Sequence, residues 1–406
     1  MTRTILCAAW VAVSVSGDVA GGQARFDDVV RNLRNPEPRA RLDAVRFLRE
    51  ARHLDAIVPM APLVNDPVDA IQLEAIAAEL SFFLVRDVPG RRRLGFVEIR
   101  NRGSAATAFD LGPLAAWPRP APPELTSALL AAVDDDNARV RHEAIYAIGI
   151  IAKSPLSADA EQSLIKALDH YDSSIRAGAA RVAGRVGVTA AADALIKAVN
   201  DSSADVRYAA MRALGMLRDE RAVGALMEQL KFYGRGEGAW SALDALARIA
   251  HASSVPVFTS RLTDTDPFLR RAAAEGLGRT GDTSAISTLE TGAGNDRSGM
   301  VRAAMQYALQ KLGRNYVPRL VEFLDDSKTN LQVQEYLIEL GPAIERELLP
   351  SVQDPDPAIR GAVVDILGEI GGDASLAALR DIKDRSTDVV EAAGRAVERI
   401  RLRRAL

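Results

Sequence analysis

Four histidines are the first candidates for chemistry, and their spacing gives little to work with. His53, His142, His170 and His251 are scattered over 406 residues. None stands at the short helical step that lets two imidazoles share a metal ion. His142-Glu143 is one isolated pair, and the abundant Asp and Ser residues fall in turn-like stretches without a matching base. The sequence GRGEG at 234–238 imitates a phosphate loop. It lacks the Lys-Ser/Thr that must follow and any strand before it. The reading is therefore of a chain with no catalytic residue, no metal and no cofactor.

Recognition fits the remaining side chains better. Residues 88–123 carry Arg91, Arg92, Arg93, Arg100, Arg102 and Trp117, with five prolines after residue 112. GFVEIRNRG (95–103) reads as a short strand and turn, and WPRPAPP (117–123) as an extended, stiff segment. Around GRGEG stand Phe232, Tyr233, Arg235 and Trp240. Arg and the large aromatics are the side chains that most often carry binding energy. Both groups are candidate contacts for a partner. Residues 90–122 are expected to be removable without loss of the fold, since loop closure depends weakly on length.

The elements that must position these residues form a repeat. VRHEAIYAIG (140–149), VRYAAMRALG (206–215), LRRAAAEGLG (269–278), VRAAMQYALQ (301–310) and IRGAVVDILG (359–368) align, and six weaker copies bring the total to eleven. Successive copies lie 28–35 residues apart, except for one interval of 69 that contains the insertion. Most copies follow a second apolar segment such as ALIKAV (194–199) or AVGALMEQL (222–230). Apolar residues at three- and four-residue steps in both make each unit a pair of amphipathic helices. Asn35-Pro36, Asp66-Pro67, Asp266-Pro267, Asp354-Pro355 and Asp356-Pro357 mark helix starts. Gly149, Gly184, Gly215, Gly278 and Gly368 stand where second helices are expected to end in a left-handed cap. At 8–10 Å per packed helix, the array would be on the order of 100 Å long.

Composition sets limits on partners and place. The 51 basic and 54 acidic residues give a net charge of −3, without the basic stripe that nucleic acid requires. Residues 1–24 hold Arg3, an apolar run from Ile5 to Val15 and then small residues, the layout of a secretory signal. The run is shorter than the roughly 20 residues that span a bilayer. The expectation is an exported protein, periplasmic or extracellular, cleaved after Ala20 or Ala24. Its only cysteine, Cys7, would leave with the leader, and no integral membrane segment would remain. The domain reading is then 1–24 signal peptide, 25–87 repeats one and two, 88–123 insertion, and 124–406 repeats three to eleven.

This pattern resembles the HEAT repeat, in the short bacterial form called phycobilisome-lyase-like. The resemblance implies an all-α solenoid of about eleven stacked helical hairpins with one irregular insertion. It also implies an Asp in each inner loop and an Arg on the following helix, forming a ladder along the stack. A six-residue step supplies Asp135/Arg141, Asp201/Arg207, Asp264/Arg270, Asp296/Arg302 and Asp354/Arg360. The ladder is read as structural, because each Arg arrives with its own Asp. Interruptions fall at Asp66/Gln72, His170/Arg176, Ala239, Asp326/Gln332 and Asp384/Val390. Deoxyhypusine hydroxylase is a HEAT-repeat enzyme that needs several His-Glu pairs, and the single pair here excludes that activity. The functional expectation is a monomeric, non-catalytic scaffold that binds another protein through its concave face or the insertion. The alternatives are a lyase-like enzyme or accessory acting on a tetrapyrrole-type ligand, and an envelope assembly factor.

Overall fold

The computed structural model describes residues 26–86, 89–94, 97–102, 104–152 and 155–405. The proposed leader, residues 1–24, lies outside them. The described chain is an α-solenoid of helical hairpins, interrupted once after the second hairpin. The second helices of successive hairpins are α1 (Pro38–Glu50) and α2 (Asp69–Phe83) before the insertion, whose own helix is α3 (Ala105–Asp110). After it come α4 (Ala138–Ile151), α5 (Ser173–Val186), α6 (Ala204–Leu217), α7 (Gly236–Ile249), α8 (Pro267–Thr280) and α9 (Gly299–Lys311). The last three are α10 (Asn330–Leu340), α11 (Pro357–Ile370) and α12 (Thr387–Ala405). First helices are shorter and often open with a single 3-10 turn, as at Glu220–Ala222 before Val223–Tyr233.

Sequence chemistry explains the helix boundaries. Asp266 and Asp356 cap α8 and α11, each accepting a backbone N–H two residues on, with Pro267 and Pro357 in the first turn. One turn upstream, Asp264 and Asp354 accept from the amides of Asp266 and Asp356, so each loop closes on two carboxylates. The glycines correct the expectation. Gly149, Gly184, Gly215, Gly278 and Gly368 lie inside their helices, two residues before the end. True left-handed caps are Gly187 and Gly281, together with Arg218 and Ala250. The internal glycines serve close packing instead. A Cβ on Gly215 would lie 2.7 Å from the Ala245 Cα, and Gly184, Gly278 and Gly368 meet Ala213, Ala308 and Ala396 in the same way. Backbones of neighbouring second helices therefore touch, and this layer becomes the short, inner side of the curve.

The curvature is strong enough to bring distant repeats together. Arg399 on α12 donates to the carbonyls of Leu114 and Ala116 in the insertion at 2.8 and 3.0 Å. Arg86 pairs with Glu391 at 3.2 Å. The array thus bends far enough to bring its last helix against the insertion.

A buried carboxylate gives a prediction for the second hairpin. Glu79 on α2 is 1% exposed, and neither of its oxygens has a hydrogen-bond partner. Burial pushes its carboxyl well above the usual range. The unfolded chain ionises near pH 4.5 while the fold keeps the proton, so stability is full below that pH and falls as pH rises. Glu79→Gln should therefore be more stable than wild type at pH 7–8, with the difference vanishing near pH 4. Urea midpoints across this range measure it, and a variant less stable at pH 8 would contradict the assignment.

Candidate binding surface on the inner helix layer

The ladder joins each hairpin to the next. Arg270 donates Nη1 to the Asp264 carbonyl at 2.7 Å, and its Nε and Nη2 to both carboxylate oxygens of Asp296 at 2.9 and 3.0 Å. The Asp six residues earlier is thus met through its carbonyl, and the carboxylate comes from the following hairpin. Arg360 repeats the arrangement with the Asp354 carbonyl and Asp384, and Arg141 with the Asp135 carbonyl and Asp172. Hydrogen bonds from Arg176 and Arg360 hold the Asp201 and Asp384 carboxyls below their ordinary range.

Several positions read as interruptions carry rungs. Arg176 takes the His170 carbonyl and Asp201, and Gln72 donates to Asp135 at 2.7 Å across the insertion. Arg207 donates to the Tyr233 hydroxyl at 2.6 Å, and where Ala239 replaces Arg, Trp240 Nε1 donates to Asp266 at 2.6 Å. Arg302 donates to the Asp296 carbonyl and lies over the Phe323 ring.

These rungs divide the aromatic group around GRGEG. Tyr233 and Trp240 belong to the frame. Phe232, 76% exposed, and Arg235 face outward. The loop glycines follow from Tyr233: Gly234 and Gly236 adopt positive φ, and a Cβ on Gly238 would collide with the Tyr233 ring. The resemblance to a phosphate loop ends there.

The insertion has two parts. β1 (Pro89–Leu94) and β2 (Val97–Arg102) form an antiparallel hairpin with Arg91 opposite Arg100, Arg93 opposite Glu98 and Pro89 opposite Arg102. The side chains of these arginines, Arg92 included, lie outside the described residues. The second part is built into the solenoid, which overturns the expectation that residues 90–122 can be excised freely. Ala105, Ala108, Phe109 and Ala116 are buried. Glu143 on α4 accepts from the Ala105 amide at 2.7 Å, so the Glu of the His-Glu pair anchors α3. Phe109 sits on Gly149 and beneath the Arg185 guanidinium, 3.4 Å from its ring centre, while Arg185 donates to the Phe109 carbonyl. Trp117 donates its backbone N–H to the Phe83 carbonyl at 2.8 Å, and its ring lies near Arg399.

Farther along, α10 packs on α9 and α11 and sends long side chains to the inner faces of α7 and α8. Its Tyr336 stacks on Tyr307 at 4.3 Å and donates to Glu275. Arg279 binds Glu275 at 3.1 Å and both oxygens of Glu339. Asp244 joins Arg248 and Arg271 at 3.2 and 3.1 Å. Burial opposes the charges of Asp244 and Glu339, but the arginines prevail and hold both carboxyls at about 2. Burial raises the Tyr336 hydroxyl well above its ordinary value. No cue in the repeat pattern marked this cluster. The sequence signal is the run of charges Asp244, Arg248, Arg271, Glu275 and Arg279 at inner-face helical steps. Among the described residues no group of His, Cys, Asp and Glu is placed to hold a metal ion. No described helix is long and apolar enough to cross a membrane.

Comparison with known proteins identifies the repeat. The family profile for HEAT repeats matches residues 161–231, 236–310 and 317–398. No curated protein matches the chain. Among solved structures, an engineered protein is 17% identical, covering 93% of this chain and 98% of that one with a TM-score of 0.42. The complex of CpcE and CpcF of phycocyanin lyase from Nostoc sp. PCC7120 is 21% identical, with 59% and 94% covered and a TM-score of 0.41. The E. coli protein YIBA is 16% identical, with 75% and 100% covered and a TM-score of 0.41.

Proposed function

Because the chain belongs to the HEAT-repeat family, we propose that it is an exported, monomeric, non-catalytic scaffold whose insertion hairpin grips an acidic protein partner. The observation that carries this reading is the register of β1 and β2. Residues opposite each other, or two apart, share one face of a hairpin. Arg91, Arg93, Arg100 and Arg102 fall in one such set together with Glu98, while Leu94, Val97 and Ile99 fall in the other with Arg92. Four cations against the one carboxylate of Glu98 leave that face net positive, and an acidic surface relieves the remaining repulsion. The inner helix layer supports the same assignment by being partly taken: α3 covers α4 and reaches α5, and side chains of α10 reach α7 and α8. The open rim then falls to the hairpin and to outward side chains such as Phe232.

The test replaces residues 89–102 with a short Gly-Ser bridge and keeps residues 104–122. Helical content and unfolding midpoint should stay unchanged, while capture of the partner from the native envelope falls at least about tenfold, as for the loss of one or two charged contacts. Equal capture by both forms would overturn the hairpin's role. Intact mass of the secreted protein tests export, and a mass that includes residues 1–20 would refute it.

A further inference from the structure

The closure between the insertion and the last repeats borders an open-mouthed cavity of about 350 Å³. Its walls come from four parts of the chain: the residues after α2 (Val85, Arg86), the insertion (Leu111, Leu114), the start of α10 (Leu331), and α11 with α12 (Asp365, Arg395). Leu111 and Leu331 are 57% and 72% exposed, two of the few large apolar side chains left in water, and both line this one cavity. Isolated exposed apolar residues need no explanation, but two converging on one concavity from elements 220 residues apart do.

The polar groups on the wall are equally unusual. Arg399 makes three hydrogen bonds, to Glu369 and to the Leu114 and Ala116 carbonyls, and so forms fixed wall. Arg395 differs. Its side chain is only 20% exposed, it makes no hydrogen bond with a described residue, and its nearest carboxylates, on Asp365 and Glu391, stand off at 3.8 Å. Arg86, at the mouth, pairs with Glu391 across the surface. A guanidinium carries five donors, and a half-buried one without a close acceptor offers them to whatever occupies the cavity. Burial lowers the Arg395 pKa, consistent with a cation lacking close support.

We propose that this cavity is a binding site for an apolar molecule bearing one carboxylate, with the carboxylate on Arg395 and the apolar body against Leu111, Leu114 and Leu331. A carboxylate accepts two parallel N–H groups from one guanidinium, the arrangement that Arg395 leaves unfilled. The leucines match an acyl chain or an aliphatic side chain. Such a group comes either from a free acyl carboxylate or from the C-terminus of an apolar peptide. The site does not rest on the hairpin reading, because the hairpin supplies none of its walls.

The test is calorimetric titration of the full chain with octanoate and with the peptide acetyl-Ala-Leu-Leu carrying a free C-terminus. Octanol and the amidated peptide are the uncharged controls. Binding by either acid, with its control at least about tenfold weaker, establishes the site and identifies the source, a tenfold factor corresponding to about 1.4 kcal/mol. Arg395→Gln should weaken the acid to the level of its control. Leu331→Asp, at an exposed position that cannot disturb the core, should also weaken the acid by placing a like charge at the mouth. Equal binding of acid and control, no binding of either acid, or an unchanged affinity in Arg395→Gln would overturn the proposal. Preference for octylamine over octanoate would do so as well, because it would make Asp365 the recognising group.

Discussion

Phe109→Ala should lower the unfolding free energy by about 3–5 kcal/mol, the cost of removing a buried aromatic from a site that cannot collapse. The reason is where the ring sits. Gly149 offers no side chain to fill the gap, and a Cβ there would lie only 2.5 Å from the ring. Above the ring is Arg185, whose pKa burial lowers and which keeps its charge beside an aromatic face. Removing the ring strips that cover and loosens α3, whose following residues carry the contacts to Arg399. Deletion of 104–122 should be worse, uncovering Gly149, Val182 and Arg185 together. Replacement of the hairpin 89–102 should cost almost nothing by comparison. Chemical unfolding of the three variants measures the contrast, and a Phe109→Ala midpoint equal to wild type would show that the insertion merely rests on the solenoid.

Arg279→Ala carries a similar expected cost, about 3–5 kcal/mol, for a different reason. It removes the closest cation of Glu275, 2% exposed, and of the largely buried Glu339, leaving each only an arginine at 3.6 Å, Arg271 and Arg218, and breaking a buried pair costs far more than the pair contributes. The damage should be local at first. Hydrogen exchange in α10 should quicken while α5 and α6 stay protected. The pH response provides a second readout. Arg279 and its hydrogen bond hold Glu339 at about 2 against the opposing effect of burial, below the 4.5 of an ordinary Glu. That stabilisation is present above about pH 4.5 and is lost as pH falls toward 2. The variant should lose this part of the acid sensitivity, and Glu339→Gln in the same background should recover stability at neutral pH. Unchanged exchange in α10 would show that its packing does not depend on the ion cluster.

The hairpins and their ladder were legible because every repeat states them again. Arg at a fixed place, Asp six residues earlier and apolar steps of three and four need only neighbours within about 35 residues. The rungs at Gln72 and Trp240 were missed because side chains of other types occupy the same geometry. The glycines near the helix ends were misread, since a capping glycine and a packing glycine differ by only a few positions in sequence. Their role depends on an alanine some 30 residues away. Least legible were the contacts of 104–117. Their partners lie 38, 76 and 285 residues distant at Ala105–Glu143, Phe109–Arg185 and Leu114–Arg399. Prolines and a broken period argued for a loop, and only the curvature of the whole array supplies the surface that buries it. The inward reach of α10 belongs to the same class.

Linear repeat proteins fray from their ends, because a terminal unit has one neighbour where an internal unit has two. Here the clasp of Arg399 on the Leu114 and Ala116 carbonyls gives the last hairpin a second neighbour. The first hairpin, ending in α1, has none beyond α2 among the extensive contacts. Among the described residues the array therefore has one free end rather than two. Melting should start at the amino-terminal hairpin and travel one way, with the carboxy-terminal helix as reluctant to open as the middle of the stack. Cooperativity is set by a join between segments that are remote in sequence, and cutting that join would restore the symmetric fraying of an open array.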